Sequence, residues 1–330
     1  MIEKPDIADQ KIIMALNKSY SIQAAYIEFL PIGNDASAWA YRVDAEDQST
    51  YFLKIRKEIS NPAGVLVPRF IQDQGIAQAL APIPTEKQEL WIDVEDFFLI
   101  LYPFVNGQEA MSVGMSDFQW KEFGSTLKRI HSTELPEEVS TYVRRETFIP
   151  KWSDLAKELH EQINARNYED PCQKELAAFW KSKDEIIQTI LERTEKVGER
   201  LQGADLDFVL CHADIHTANI LITPKQEMFI VDWDDTLFAP KERDLMFILG
   251  EGTKEEQMFF QGYGSVEIDQ LALAYYRYEW CVQEIGDFGK RVFLTQDAGE
   301  RTKQESVTGF MQLFSPGDVI EAALNTSFAM

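Results

Sequence analysis

Cysteine is nearly absent. The three present in 330 residues, Cys172, Cys211 and Cys281, are widely spaced and form no CxxC pair. That excludes a disulfide framework and a cysteine-held zinc site, and it points to a reducing compartment, the cytoplasm. Positive charge is short too: 32 Lys and Arg stand against 55 Asp and Glu, a formal net charge of −23. Nucleic acid demands a basic footprint, so it is excluded as a partner; an acidic field suits a cationic small molecule instead. Long apolar runs are missing as well. The longest, Phe97 to Val105, is too short to cross a membrane, and the opening MIEKPDIADQ lacks the apolar centre of a signal peptide. There is no internal repeat and no low-complexity run. At 45% hydrophobic and 26% charged, the expectation is a soluble globular chain of roughly two domains.

What is present concentrates in Phe208 to Thr236, FVLCHADIHTANILITPKQEMFIVDWDDT. Phe208–Cys211, Ile220–Ile222 and Met228–Val231 have the length and composition of buried strands, and Thr223 to Glu227 makes a hairpin loop between the last two. Asp214 and Asn219 then lie at the mouth of that hairpin, and Asp232 ends its second strand. Phosphoryl transfer needs a carboxylate to take the acceptor proton and oxygen ligands to hold Mg²⁺ against a triphosphate. His212-x-Asp214-x-x-x-x-Asn219, followed by Asp232, has the order of a kinase catalytic loop and its metal-binding aspartate. The bland alternative is two strands capped by turn-forming Asp and Asn, but spacing, order and flanking strands all favour the chemical reading.

Upstream, Asp9 to Asn17 reads as an amphipathic helix with Ile12, Ile13 and Leu16 on one face. Tyr26–Leu30, Ala38–Val43 and Tyr51–Arg56 read as a meander. In its third strand Lys54 points away from Tyr51, Leu53 and Ile55, so it can reach nucleotide phosphates. The loop from Ile32 to Ser37 has one glycine and fails the GxGxxG pattern; Asn34 and Ser37 are its candidates for covering phosphates. A kinase places a helix next, bearing a glutamate for the lysine. Here no glutamate occurs between Ser60 and Gln74, and Pro68 argues against a continuous helix from Pro62. Glu58 or Asp73 could serve, or the pair is absent. Leu90–Val94 and Phe97–Tyr102 form a hairpin that runs into Pro103 and Gly107, the pattern of a hinge between lobes. Tyr102, Phe104 and Val105 are its candidate adenine contacts, and a boundary falls near Asn106.

Beyond Asn106 the pattern turns helical. Phe118, Phe123, Leu127 and Ile130 mark one helix ending near His131; Trp152, Leu155, Leu159 and Ile163 mark a second; Phe179 to Leu201 reads as a third. His131 and His160 read as surface or packing residues. Asp244, in the helix opened by Pro240-Lys241-Glu242, reads as an anchor for the catalytic loop. A later helix carries an apolar stripe from Ile268 to Ile285. Tyr276, Trp280, Glu284 and Asp287 fall on a different face, where rings beside carboxylates suit an ammonium ion. With Asp234 they form the candidate substrate set.

Two rival motifs fail. Asp232-Trp233-Asp234-Asp235-Thr236 fits a haloacid-dehalogenase nucleophile, but the helical remainder lacks the further strand units that fold needs. A metal hydrolase built on His212, Asp214 and His216 lacks a further histidine cluster to complete its shell. HADIHTANILI, IVDWDD, APKERDLMF and YYRYEW together resemble the aminoglycoside phosphotransferase family, over essentially the whole chain. The resemblance implies an α+β, two-lobed protein-kinase-like fold: residues 1–106 as a small antiparallel-sheet nucleotide lobe, 107–330 as a larger, mainly helical catalytic and substrate lobe. It implies Asp214 as the base on the acceptor hydroxyl, Asn219 and Asp232 as Mg²⁺ ligands, Lys54 on the ATP phosphates and 102–105 as the adenine hinge. The implied acceptor is an aminoglycoside or aminocyclitol antibiotic such as spectinomycin. Ala213 stands where protein kinases carry arginine, and Ala239-Pro240 follows Asp232 too closely for a regulated activation loop. A choline-like or sugar acceptor, or a non-catalytic nucleotide-binding regulator, are the alternatives.

Overall fold

The computed structural model describes residues 4–32, 38–250, 252–295 and 299–326. The chain groups into two compact units: Met1–Arg145, Phe208–Phe247 and Glu251–Ser265 form the first, and Glu146–Asp207, Ile248–Gly250 and Val266–Met330 the second.

In chain order, α1 (Asp9–Ser19) precedes β1 (Ala24–Leu30), β2 (Ala38–Ala45) and β3 (Thr50–Arg56). Next come α2 (Ala63–Asp73), β4 (Ile92–Val94) and β5 (Phe97–Pro103). Then follow β6 (Gln108–Glu109), α3 (Ala110–Val113), α4 (Asp117–His131), α5 (Glu137–Ser140) and β7 (Arg144–Arg145). The chain enters the second unit with α6 (Ser153–Ala165), α7 (Pro171–Ser182) and α8 (Asp184–Gln202). It returns with β8 (Val209–Cys211), a 3₁₀ turn (Thr217–Asn219), β9 (Ile220–Ile222), β10 (Met228–Ile230) and β11 (Leu237–Ala239). α9 (Glu242–Leu245) and α10 (Lys254–Tyr263) finish the first unit; α11 (Gln270–Phe293), α12 (Glu300–Gln312) and α13 (Val319–Leu324) finish the second.

The first unit is built on an antiparallel sheet ordered β1-β2-β3-β5-β4. Its two faces follow from strand alternation. Tyr41, Val43, Leu53, Ile55, Leu99 and Leu101 point to one side and are buried against Ile12 and Leu16 of α1. Each such fully buried aliphatic side chain contributes roughly 1.5–3 kcal/mol. On the other side the register sets Lys54 between Ala40 and Ile100, and Phe52 between Arg42 and Tyr102. The expected direction of Lys54 is therefore met. Two small sheets, β10-β9-β6 and β7-β11-β8, follow. The segment after α2 joins the first of them: Ala79 bridges Ile230, and Ile230 N donates to the Gln78 carbonyl at 2.7 Å. The 223–227 hairpin loop between β9 and β10 is as the sequence predicts.

Three sequence expectations are corrected. α2 runs unbroken through Pro68. The missing amide bond and ring clash cost about 3 kcal/mol in a helix interior, and burial of Ala63, Val65, Val67, Ile71 and Pro68 itself offsets it. Phe118 is not core: it sits in the first turn of α4 with 72% of its surface exposed, while Phe123, Leu127 and Ile130 are buried. The helix expected over 179–201 is two, broken at Lys183. The acidic pair Asp184-Glu185 opens the second, where carboxylates favour a helix start.

Helices α4 and α10 meet backbone to backbone at Gly124 and Gly262. A methyl group on either would overlap a main-chain carbonyl, of Phe259 in one case and Lys121 in the other. Glycine is required here by space. The second unit is a helical cluster around Trp180, Tyr278, Ile285 and Phe310, with Trp180 and Phe310 stacked at 5.1 Å. No helix among the described residues is long and apolar enough to cross a membrane, and all three cysteines are free and buried.

Candidate active site

The close approach of α4 and α10 has a consequence at their C-terminal ends. His131 ends α4, Tyr263 ends α10, and they hydrogen-bond through Nδ1 and the phenol at 2.7 Å. The other imidazole nitrogen, Nε2, meets Asp244 Oδ2 at 2.9 Å. Asp244 is fully buried, and its carboxylate accepts two consecutive backbone N–H groups, from His212 at 3.0 Å and Ala213 at 2.6 Å. Burial alone would raise its pKa, but the His131 hydrogen bond and charge, with His212 and the Ala213 amide, hold it below the ordinary carboxylate range. The structure thus gives Asp244 the anchoring part expected of it. Ala213 has φ 73°, a backbone state that costs roughly 1–3 kcal/mol in a non-glycine residue and survives only where surroundings enforce it. Those two bonds enforce it.

His212 is also buried, and it ties the turn to the next strand. Its Nδ1 accepts Asp214 N at 3.3 Å, and its Nε2 meets the Val231 carbonyl at 2.9 Å. Asn219 closes the same loop. Its Nδ2 donates to the Asp214 carbonyl at 2.8 Å and to Asp214 Oδ2 at 3.0 Å, while its own carbonyl accepts Val231 N at 3.0 Å. So Asp214, Asn219 and the residue before Asp232 are bonded into one small frame. Asp232 has φ 60°, a second strained position. Trp233 behind it is buried against His212, with ring centroids 4.6 Å apart.

Four charges then gather. Lys54 Nζ lies 3.1 Å from Asp232 Oδ1 and 2.7 Å from Asp234 Oδ2, and Arg56 Nη1 shares that oxygen at 2.7 Å. Burial works against the Lys54 charge, yet the two carboxylates outweigh it and raise its pKa. Burial would likewise raise Asp234, and Lys54 with Arg56 lower it. His216 stands on the other side of Asp214, its Nε2 3.5 Å from Asp214 Oδ1, and its Nδ1 accepts Ala218 N at 3.2 Å. Burial raises the Asp214 pKa, but His216 above all, then His212 and Arg243, bring it below the usual value. A carboxylate that stays ionised at neutral pH results.

Asn219 and Asp232 fit a hard cation. The Asn219 amide nitrogen is committed to Asp214, and no described side chain or amide donates to its Oδ1. Asp232 is half exposed, with Lys54 on one oxygen. One amide and one carboxylate oxygen are the donors Mg²⁺ takes. A second grouping, His131, Cys211 and Asp244, is instead a packing element. Both His131 nitrogens are already bonded, to Tyr263 and Asp244, and the Asp244 carboxylate is taken up by two amides.

Tyr102, one residue before the end of β5, is on the Lys54 side of the sheet, its ring 6.3 Å from Phe52, and burial raises its phenol pKa. Phe104 lies under the Arg42 guanidinium at 5.4 Å, and the Val105 carbonyl accepts Gly107 N at 3.0 Å. Asn34 and Ser37 lie outside the described residues. On α11, Tyr276 is buried against Phe148 and Tyr275. Trp280 Nε1 donates to Glu284 at 3.3 Å, and Asp287 is ion-paired with Arg291. Sequence reading missed Asn61, whose Nδ2 donates to the carbonyls of Asp234 at 2.8 Å and Thr236 at 3.2 Å. It also missed Arg56, although strand alternation places it beside Lys54.

A lysine on a five-stranded antiparallel sheet, facing an aspartate turn, an asparagine and a second aspartate on a short hairpin, defines a kinase-like phosphotransferase. Residues 28–277 match the APH phosphotransferase enzyme family, and the chain belongs to it. The fold is close to that of spectinomycin phosphotransferase APH(9)-Ia in complex with ADP and spectinomycin: TM-score 0.88 and 32% identity, over 98% of this chain and 99% of that one. Amicoumacin kinase hAmiN, in complex with AMP-PNP, Ca²⁺ and its ligand, shares the fold at TM-score 0.64 and 16% identity, over 95% of both chains. Protein StrN of Streptomyces griseus is 23% identical over 305 residues, 86% of each chain. The chain is an enzyme of the small-molecule kinase class.

Proposed function

We propose that this enzyme transfers the γ-phosphoryl group of ATP, with Mg²⁺, to a hydroxyl of a cationic small molecule, an aminoglycoside or aminocyclitol antibiotic with spectinomycin first. The observation that carries the reading is the bonded frame of Asp214, Asn219 and the Asp232 turn, with Lys54 reaching it from the sheet. The likeness to an enzyme whose structure holds ADP and spectinomycin supports the choice of acceptor, as does the formal charge of −23.

In this reading the chain up to Asn106 is the nucleotide-binding lobe, with Tyr102, Phe104 and Val105 at the adenine and Asn34 and Ser37 over the phosphates. Lys54 holds the phosphate oxygens. Asn219 and Asp232 hold the metal, which when bound neutralises charge on the triphosphate. Asp214 accepts the proton of the acceptor hydroxyl as its oxygen attacks phosphorus. Asn219 Nδ2 and His216 Nε2 fix the carboxylate for that task. Tyr276, Trp280, Glu284 and Asp287 supply the rings and acids for the acceptor ammonium.

The test is a transfer assay with MgATP against spectinomycin, several aminoglycosides, choline and simple sugars, read as the mass gained by the acceptor. Spectinomycin should gain one phosphoryl group. Asp214→Asn should lower turnover about 10²- to 10⁴-fold with nucleotide affinity retained. Turnover at the parent level in that variant would remove Asp214 from the mechanism, and nucleotide binding with no product on any acceptor would leave a binding protein.

A further inference from the structure

The helix that follows the lysine strand has no glutamate to offer. Along α2 the sole acid among Ala63–Asp73 is Asp73, at the last position, and it is committed to Arg69 one turn back. Glu58 lies before the helix and is exposed. Yet Lys54 is held. The shorter of its two ion pairs, 2.7 Å, goes to Asp234, two residues beyond Asp232.

We propose that Asp234 is the residue that positions Lys54 for the nucleotide, in place of an acid on α2. This rests on the phosphotransferase reading above and takes Asp234 out of the acceptor set. One consequence of that reading and two observations carry it. Asp232 is needed elsewhere: a carboxylate that ligates a metal gives up much of its hold on a neighbouring ammonium, which leaves Asp234 as the lasting partner. Asp234 is the better held of the two, its side chain 33% exposed against 51% for Asp232. Arg56, on the same face of β3 as Lys54, shares its Oδ2 and fixes the carboxylate from a second side. Finally, the main chain of Asp234 is pinned by the region that lacks the acid. Asn61 Nδ2 donates to its carbonyl at 2.8 Å, and Gly64, in the first turn of α2, lies so close that an added Cβ would stand 2.8 Å from the Trp233 carbonyl and 2.9 Å from Asp234 Cα.

Helix α2 therefore acts on the lysine indirectly. It presses the turn that carries the acid, where a glutamate would bind the lysine itself. The device couples two parts of the site: Asp232 and Asp234 leave the same short turn, so the metal ligand and the lysine partner move together.

A double-mutant cycle tests this. Asp234→Ala, Asp234→Asn, Asp234→Glu, Lys54→Ala and the Lys54→Ala/Asp234→Ala pair are compared by kcat and by KM for ATP and for the acceptor. Asp234→Ala should lower kcat/KM for ATP about ten- to a hundredfold and change the acceptor KM less than about twofold. Asp234→Glu should recover more than the isosteric Asp234→Asn, which keeps the shape without the charge. In the Lys54→Ala background, Asp234→Ala should cost less than about twofold more, since the partner it positions is gone. Losses that multiply, or a loss confined to the acceptor KM, would overturn the inference and return Asp234 to acceptor binding. Parent-level kcat/KM in Lys54→Ala would instead bring down the nucleotide-lysine reading itself.

Discussion

The two sides of the 212–219 turn hold negative charge in opposite ways. Beneath it, one carboxylate, Asp244, is fully buried and meets three donors, the amides of His212 and Ala213 and the His131 ring. On the open side, three carboxylates, Asp214, Asp232 and Asp234, share Lys54, Arg56 and His216, and each is at least one-third exposed. A satisfied buried ion is structural: it fixes a strained backbone and has nothing left to offer a ligand. Carboxylates paired beside water keep oxygen lone pairs that a ligand or cation can reach. The comparison teaches where to look for chemistry, on the side whose charges stay open to solvent.

Removing the buried carboxylate is the strongest way to break that contrast. Asp244→Ala should destabilise the fold by about 3–5 kcal/mol, because His131 and two amides lose their partner in a dry site, and chemical denaturation would read it. Asp244→Asn keeps one acceptor oxygen and should cost less. The folded pKa of Asp244 lies below its unfolded value of about 3.9, so its contribution is complete above that value and fades as pH falls through the folded one. Below about pH 4 the parent should lose stability faster than Asp244→Asn. Parallel acid profiles for the two proteins would sink the assignment.

The next effect acts one step further back. Gly262→Ala puts a methyl group into the Lys121 carbonyl and must push α10 off α4. Overpacking of this kind costs about 1–3 kcal/mol. Because His131 and Tyr263 end those two helices, turnover should fall along with stability. A Gly262→Ala enzyme as stable and as active as the parent would disconnect the helix crossing from the turn.

How much of this the residues announced depends on sequence distance. The frame of His212, Asp214, Asn219 and Asp232 was legible because its parts are neighbours in one β-turn-β stretch, where strand period and turn chemistry place side chains directly. The direction of Lys54 was legible for the same reason. The His131–Asp244 pair, 113 residues apart, leaves no local pattern, and a lone histidine at a helix end reads as packing. The partner of Lys54 was sought on the following helix because a chemical expectation pointed there. Asp234 stood in plain view 180 residues on, but nothing in the chain says that β3 meets the turn after β10. The unbroken α2 was hidden because Pro68 carries a strong local penalty, and tertiary burial that a sequence does not display outweighs it.

The smallest expected effect concerns the open face of α4. Phe118 falls five residues before Phe123, and five helical steps turn a side chain roughly 140° away from it, so hydrophobic identity and helical period disagree at this position. With 72% of its surface in water, the ring buries little, and Phe118→Ser should change stability by no more than about 0.5 kcal/mol. Phe123→Ser at the buried contact with Phe259, 5.2 Å between rings, provides the contrast, at about 3–5 kcal/mol for the lost packing. Equal losses from the two substitutions would mean that the first turn of α4 is covered in solution, and the helix face assigned here to solvent would have to be redrawn.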